Sequence, residues 1–111
     1  MMNRNLFYSS DYLYFEQTLN ERIREKLRYA SVILQTMPVI SSRFVKKLVN
    51  SDFYELRISV DNEIRIILFA ADNDNINLAK TIIFLNGFVK KSTKDYKREI
   101  EKATQILRRL L

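Results

Sequence analysis

The side chains in this sequence that could do chemistry are mostly arginines and lysines. Histidine and cysteine are both absent. Their absence excludes the commonest general base, the commonest metal ligand, a thiolate nucleophile and any disulfide. There is no Gly-rich phosphate loop, no Ser-His-Asp set and no run with metal-ligand spacing, so no metal or cofactor is expected. Glu99 and Glu101 form the nearest approach to a carboxylate pair, and they read as solvated neighbours on a helix. The remaining candidates fall between Phe53 and Lys91. Arg57 follows Glu55 by two residues in FYELRISV, and Arg65 follows Glu63 by two in EIRIILFA. Lys90 and Lys91 end FLNGFVKK, and Lys47 enters just upstream. Such side chains bind phosphate, a guanidinium gripping two oxygens at fixed geometry. With 19 Lys and Arg against 13 Asp and Glu, the chain carries +6, which favours an anionic partner, most simply nucleic acid.

These cations need a scaffold, and hydrophobic periodicity supplies it. In FYELRISV, Tyr54, Leu56, Ile58 and Val60 alternate with Glu55, Arg57 and Ser59, the period of a strand. Asp61-Asn62 is a hairpin turn, since both residues tolerate positive φ. EIRIILFA sets Ile64, Ile66 and Leu68 opposite Arg65, and KTIIFLNG is apolar enough for a central strand. The three make an antiparallel meander with a basic exit. On paired strands Arg57 and Arg65 can converge. Burying either would be costly, so their face must be open or paired with Glu55 and Glu63. Two cross-strand salt bridges on a solvated face remain the alternative to a site.

The flanks read as helical. Ser9, Ser10 and Asp11 are N-cap candidates before apolar positions at Tyr12, Phe15, Leu19, Ile23, Leu27, Ala30, Leu34 and Met37. This is one amphipathic helix, or two breaking near Thr18 to Asn20, and it ends at Pro38. Ile40, Phe44 and Leu48 have helical spacing and predict a short helix into the meander, with Asn50-Ser51-Asp52 as the turn. After Lys91, caps at Ser92, Thr93 and Asp95 precede a helix with Tyr96, Ile100, Ala103, Leu107 and Leu110 on one stripe. A short first strand at Asn5 to Tyr8 can add to the sheet edge. Residues 1–111 form one α+β domain: N-terminal helices, a three-stranded antiparallel meander and a C-terminal helix. The apolar runs are too short for a membrane span and no signal peptide is visible, so a cytoplasmic protein is expected.

Four segments in order carry a likeness: KKL, then FYELRI, then EIRIILF, then FLNGFVKK followed by REIEKA. The series resembles that of the RelE/HigB superfamily of type II toxins, in its phage-derived HigB-like branch, over Phe44 to Ala103. The resemblance implies a RelE-like α+β ribonuclease that cuts messenger RNA in the ribosomal A site and is held inactive by an antitoxin, often of helix-turn-helix type. By position it implies catalytic roles for Arg57, Arg65, Lys90, Lys91 and Tyr96, with Lys46, Lys47 and Lys94 binding RNA. Three departures stand out. Ile64 replaces a usual aromatic that could stack on a base, Tyr96 stands where proline is usual, and NDNINLA extends the loop before the third meander strand.

Cleavage by attack of the RNA 2′-hydroxyl on its own phosphate needs no metal and no protein nucleophile. It needs a base, cations on the phosphorane and a proton for the leaving oxygen. Arg57 and Arg65 suit the charge. Lys90 or Lys91 can be the base only if burial and neighbouring cations lower its pKa by several units, and Glu55 is the alternative. The rival function is a non-catalytic, basic RNA- or nucleic-acid-binding module of phage origin with the same fold.

Overall fold

The computed structural model describes residues 3–111. In chain order the elements are β1 (Asn5–Tyr8), α1 (Ser10–Gln17), α2 (Glu21–Thr36), β2 (Val45–Lys47), β3 (Tyr54–Val60), β4 (Asn62–Ala70), β5 (Thr81–Val89) and α3 (Asp95–Leu110). The strands form one sheet in the order β1-β5-β4-β3-β2. The meander β3-β4-β5 is antiparallel, as its alternation predicts. β1 lies parallel to β5, so the short first strand does join the sheet edge. Asp61 turns the β3–β4 hairpin with φ 62°, the left-handed conformation that aspartate tolerates.

The helical N-terminal half breaks where expected. The Ser9 hydroxyl accepts from the Tyr12 N–H at the start of α1, and the Asn20 side chain does the same for Ile23 at the start of α2. Ile23, Leu27, Ala30 and Leu34 form the buried stripe of α2. With Tyr12 they pack on one sheet face against Leu56, Ile66, Leu68 and Phe84. Gly87 lies beneath α1, where a Cβ would run into the Phe15 ring and come 2.7 Å from Ile66 Cδ1. The close approach of α1 to β5 therefore requires glycine.

The segment expected as a short helix before the meander is instead an edge strand. Val45, Lys46 and Lys47 pair with Leu56, Glu55 and Tyr54. Arg57 N–H donates to Phe44 O and Leu48 N–H to Phe53 O. Without β2 the outer backbone groups of β3 would have no strand partner, and that tertiary demand overrides a helical spacing of only three apolar residues.

The second sheet face is not open. α3 crosses it, and Ala103 and Ile106 join Leu48, Phe53, Ile67, Leu85 and Phe88 in a second core. The α3 stripe is rotated from expectation: Glu99, Ala103 and Ile106 are its buried residues, while Leu110 is exposed. A register shift between Ile67 and Leu68 leaves Leu85 unpaired, since Asn86 faces Ile67 and Phe84 faces Leu68. The bulge turns both Leu85 and Asn86 toward α3.

Arg4, absent from the sequence reading, closes the fold at the other end. It is fully buried and gives all its donors to backbone carbonyls: Leu34, Met37 and Pro38 at the end of α2, and Asn77 and Ala79 in the loop before β5. α2 has no basic residue in its last turn, so Arg4 supplies the cation that its negative end favours. Burial lowers the Arg4 pKa from its ordinary value. The NDNINLA loop is equally well held, with Ile76 and Ala79 in the core and Asp72 accepting from the Lys80 and Thr81 amides. Among the described residues, no helix is long and apolar enough to cross a membrane.

Candidate active site

The site forms where the β2–β3 edge meets the start of α3. Antiparallel pairing sets Arg57 directly opposite Arg65. Their heads converge on one carboxylate oxygen: Arg57 Nε and Arg65 Nε each lie 3.4 Å from Glu55 Oε1. The Tyr96 hydroxyl donates to the same oxygen at 3.1 Å and accepts from Arg65 Nε at 3.2 Å. Strand alternation explains the meeting, since residues 55, 57 and 65 share the face that α3 covers, and Tyr96 lies on the first turn of α3.

Burial divides the two arginines. The Arg57 side chain is 36% exposed, whereas that of Arg65 is 2% exposed. Arg65 is also held by Ile64 O at 3.0 Å and Glu63 Oε1 at 3.4 Å. Of the two arrangements open to this face, an exposed surface or carboxylate pairing, pairing is what occurs, and it occurs under cover. The bland alternative of two salt bridges on a solvated face fails for Arg65. Glu55, itself buried, is the carboxylate that makes a buried guanidinium tolerable.

Above this cluster opens a cavity of about 320 Å³. Its lining is mixed, with Lys46, Lys47, Glu55, Arg57 and Tyr96 beside the apolar Leu48, Val49 and Ile100. Lys46 faces Glu55 across the β2–β3 pair, and Lys47 Nζ sits 4.9 Å from the Tyr54 ring centre. Desolvation chiefly, with help from Glu55, raises the Tyr96 pKa against the opposing pull of Arg65. Its phenol therefore keeps its proton at neutral pH.

The other expected residues fall outside the cavity. Lys90 Nζ lies 5.6 Å from the Tyr96 ring centre and lines a separate depression with Ser59 and Glu63. Lys91 and Lys94 are exposed on the connection to α3. Asp95 accepts from the Lys91 and Ser92 amides, which hold its carboxyl below the ordinary value, and so fixes the turn that carries Tyr96.

Two expectations are corrected here. Ile64 is fully buried in the core on the α1–α2 face, on the opposite side of the sheet from the Arg57–Arg65–Tyr96 cluster. Glu99 is not solvated: it is buried and accepts from Asn86 Nδ2 at 3.1 Å and Arg98 Nε at 3.4 Å. Tyr96 keeps the stripe position that its spacing predicts, its ring half-buried against the second core, while its hydroxyl reaches the polar cluster. The polar Asn86 inside an otherwise apolar strand was the one visible signal of the Glu99 contact. Among the described residues, no group of three or more acidic side chains is placed to hold a metal ion.

Comparison with known proteins follows the same outline. The family model described as phage-derived protein Gp49-like matches residues 15–108. No protein of curated function matches the sequence. Among solved structures, an arginine-to-alanine double mutant of E. coli toxin RelE in the free state superposes with a TM-score of 0.66 at 17% identity, covering 91% of this chain and 98% of that one. A chain of the intact E. coli RelBE toxin–antitoxin complex gives 0.60 at 18% identity, covering 80% of this chain and 99% of that one. A Mycobacterium tuberculosis RelBE toxin–antitoxin complex gives 0.60 at 14% identity, covering 80% and 100%. The fold is RelE-like.

Proposed function

Because the chain belongs to the family of phage-derived Gp49-like proteins, and its fold is that of the RelE toxins, we propose that it is the toxin of a type II toxin–antitoxin pair and cleaves messenger RNA in the ribosomal A site. The motif series from KKL to REIEKA favours the HigB-like branch within this group. The observation that carries the activity is the convergence of Arg57, Arg65 and the Tyr96 hydroxyl on Glu55 at the floor of a cation-lined cavity.

In this reading the scissile phosphate lies against Arg57 and Lys46, while Lys47, whose Nζ turns to the Tyr54 ring on the other sheet face, adds positive potential at the strand edge. Glu55, the one carboxylate among the cavity's lining residues, takes the proton from the 2′-hydroxyl as the 2′-oxygen–phosphorus bond forms. Tyr96, still protonated, gives its proton to the 5′-oxygen as the phosphorus–5′-oxygen bond breaks. The Tyr96–Glu55 hydrogen bond at 3.1 Å then returns the proton from carboxyl to phenolate. The products are a 2′,3′-cyclic phosphate and a 5′-hydroxyl, and no metal enters the balance. Arg65 is too buried to be the main phosphate ligand. It acts as a positioning residue that holds Glu55 and Tyr96 and adds positive potential from below. Lys90, over the Tyr96 ring, stabilises developing phenolate charge, which removes the need for a lysine base. Lys91 and Lys94 contribute long-range attraction.

The relatives solved as toxin–antitoxin complexes support a partner that holds this chain inactive, and a helix-turn-helix antitoxin encoded next to it is expected. Purified protein added to translating ribosomes with a chelator that spares them should cut messenger RNA and leave cyclic or 3′-phosphate ends. Ends carrying a 3′-hydroxyl would refute the mechanism. Binding without any cut would leave the non-catalytic RNA-binding module in its place.

A further inference from the structure

The bulge in β5 is held from both faces of the sheet. On the α1 side the Ser9 hydroxyl donates to Leu85 O, and the Phe15 ring lies over Gly87. Between them Asn86 turns its amide the other way, toward α3. Its Nδ2 donates to Glu99 Oε1 at 3.1 Å and to Glu99 O at 3.2 Å. Both partners are acceptors, so the orientation of the amide is set by its chemistry. Asn86 is 1% exposed and Glu99 7%, on the strand and helix that build the second core. Among the described residues no donor reaches Asn86 Oδ1, so burying this amide costs stability. Two apolar side chains at these positions would extend the second core and hold the helix at least as firmly. Stability alone does not account for the pair.

Directionality accounts for it. The apolar contacts of Ala103 and Ile106 press α3 onto the sheet but are non-directional, whereas a hydrogen bond is sensitive to distance and angle. The start of α3 needs such a constraint, because its N-cap residue, Lys94, makes no side-chain cap bond. Glu99 stands three positions after Tyr96, on the same helical face, and Asn86 grips its backbone carbonyl as well as its carboxylate. That grip sets both the rotation and the height of the turn that carries the Tyr96 hydroxyl to Glu55 and Arg65, at 3.1 and 3.2 Å. Resting on the RNA-cleavage reading above, we infer that Asn86 is a positioning residue: through Glu99 it holds the Tyr96 hydroxyl in register with the Glu55, Arg57 and Arg65 cluster.

The test replaces the pair with apolar residues, Asn86→Val/Glu99→Leu, and sets it beside Glu99→Gln, which keeps an acceptor for Asn86 Nδ2. The apolar pair should melt at or above the parent. It should bind single-stranded RNA with the parent's affinity and salt slope, since Arg57 and Lys46 are carried by strands. Single-turnover cleavage on ribosomes should nonetheless slow by about 10- to 100-fold, the effect of misplacing a reacting group by about 1 Å. In the free protein the ring-carbon NMR resonance of Tyr96, identified by its loss in Tyr96→Phe, should titrate closer to the ordinary 10.0 as the hydroxyl leaves its covered place. Glu99→Gln should match the parent in both readouts. A parental rate, or a parental Tyr96 titration, in the apolar pair would overturn the assignment. A melt more than about 10 °C below the parent would give the pair to the fold instead and overturn it too. Absence of ribosomal cleavage by the parent itself would remove the RNA reading, and the Tyr96 titration would still decide whether Asn86 positions that hydroxyl.

Discussion

Replacing Arg65 distinguishes a buried network from a surface ion pair. Arg65 is 2% exposed and bonded to Glu55, Glu63, Tyr96 and Ile64 O. Arg65→Ala removes the cation and leaves Glu55, 8% exposed at its side chain, to be balanced by Arg57 alone among the guanidiniums. Breaking a buried pair from one side costs about 3–5 kcal/mol, a large share of the ~5–15 kcal/mol that holds a domain together. The melting temperature should fall by about 10–25 °C, so loss of toxicity in this variant says nothing about catalysis. The double variant Glu55→Gln/Arg65→Met removes both charges and keeps most of the volume, and should recover about 1–3 kcal/mol of that loss. Arg57→Ala is the functional control. At 36% exposure its pair with Glu55 is worth only about 0–1 kcal/mol, whereas lost phosphate contact should slow cleavage roughly 100- to 1000-fold. Thermal melts and single-turnover cleavage on the same four proteins make the comparison. An Arg65→Ala protein that melts like the parent, or a double variant no more stable than that single one, would refute the buried-network argument.

Tyr96→Phe should leave the fold intact, since the ring keeps its edge contact with Phe88 at 5.5 Å, but should slow cleavage by about two orders of magnitude. Because its folded pKa is raised, the stability it contributes is present below pH 10.0 and is lost as pH rises toward the folded value; a urea titration series should show Tyr96→Phe less sensitive to alkali than the parent. Asp95 has the opposite sign: its lowered pKa gives stability that is present above pH 3.8 and lost as pH falls through the depressed value, and Asp95→Asn should flatten that acid limb. Gly87→Ala should cost about 1–3 kcal/mol by pressing on Phe15 and Ile66, measured as a drop in denaturation midpoint. Lys46→Ala and Arg57→Ala should each reduce the slope of log affinity against log salt by about 0.7 for single-stranded RNA.

The meander was readable because period-two alternation in FYELRISV and EIRIILFA leaves one consistent face for the α1–α2 core. Which residues share a strand face with Arg57 followed directly, and so did the meeting of Arg57, Arg65 and Glu55. Nothing local revealed what covers that face. Whether Arg65 is solvated depends on where α3 lands, which is decided by Leu85, Asn86 and Ala103 together across the sheet. Glu99 looked solvated for the same reason, since its neighbours in sequence are charged and its neighbour in space is an asparagine 13 positions away. β2 escaped because three residues hold too little pattern to outweigh Ile40, Phe44 and Leu48. Arg4 escaped entirely: a cation that bonds only to main-chain carbonyls has no side-chain partner to search for.

The parallel pairing of β1 with β5 also sets an order of events during synthesis. Ser9 bonds to Leu85 O, 76 positions later in the chain, and Arg4 bonds to Ala79 O, 75 positions later. At roughly 5–20 residues per second of translation, the first strand waits about 4–15 s for its partner to be made. The hairpins between Val45 and Val89 need no such wait, because their pairs are near in sequence. The nascent chain thus builds Glu55, Arg57 and Arg65 into register before its N-terminus can dock. Tyr96 and α3 come later in the chain than all five strands, so the Tyr96 hydroxyl is added to a cluster whose Glu55, Arg57 and Arg65 are already in register.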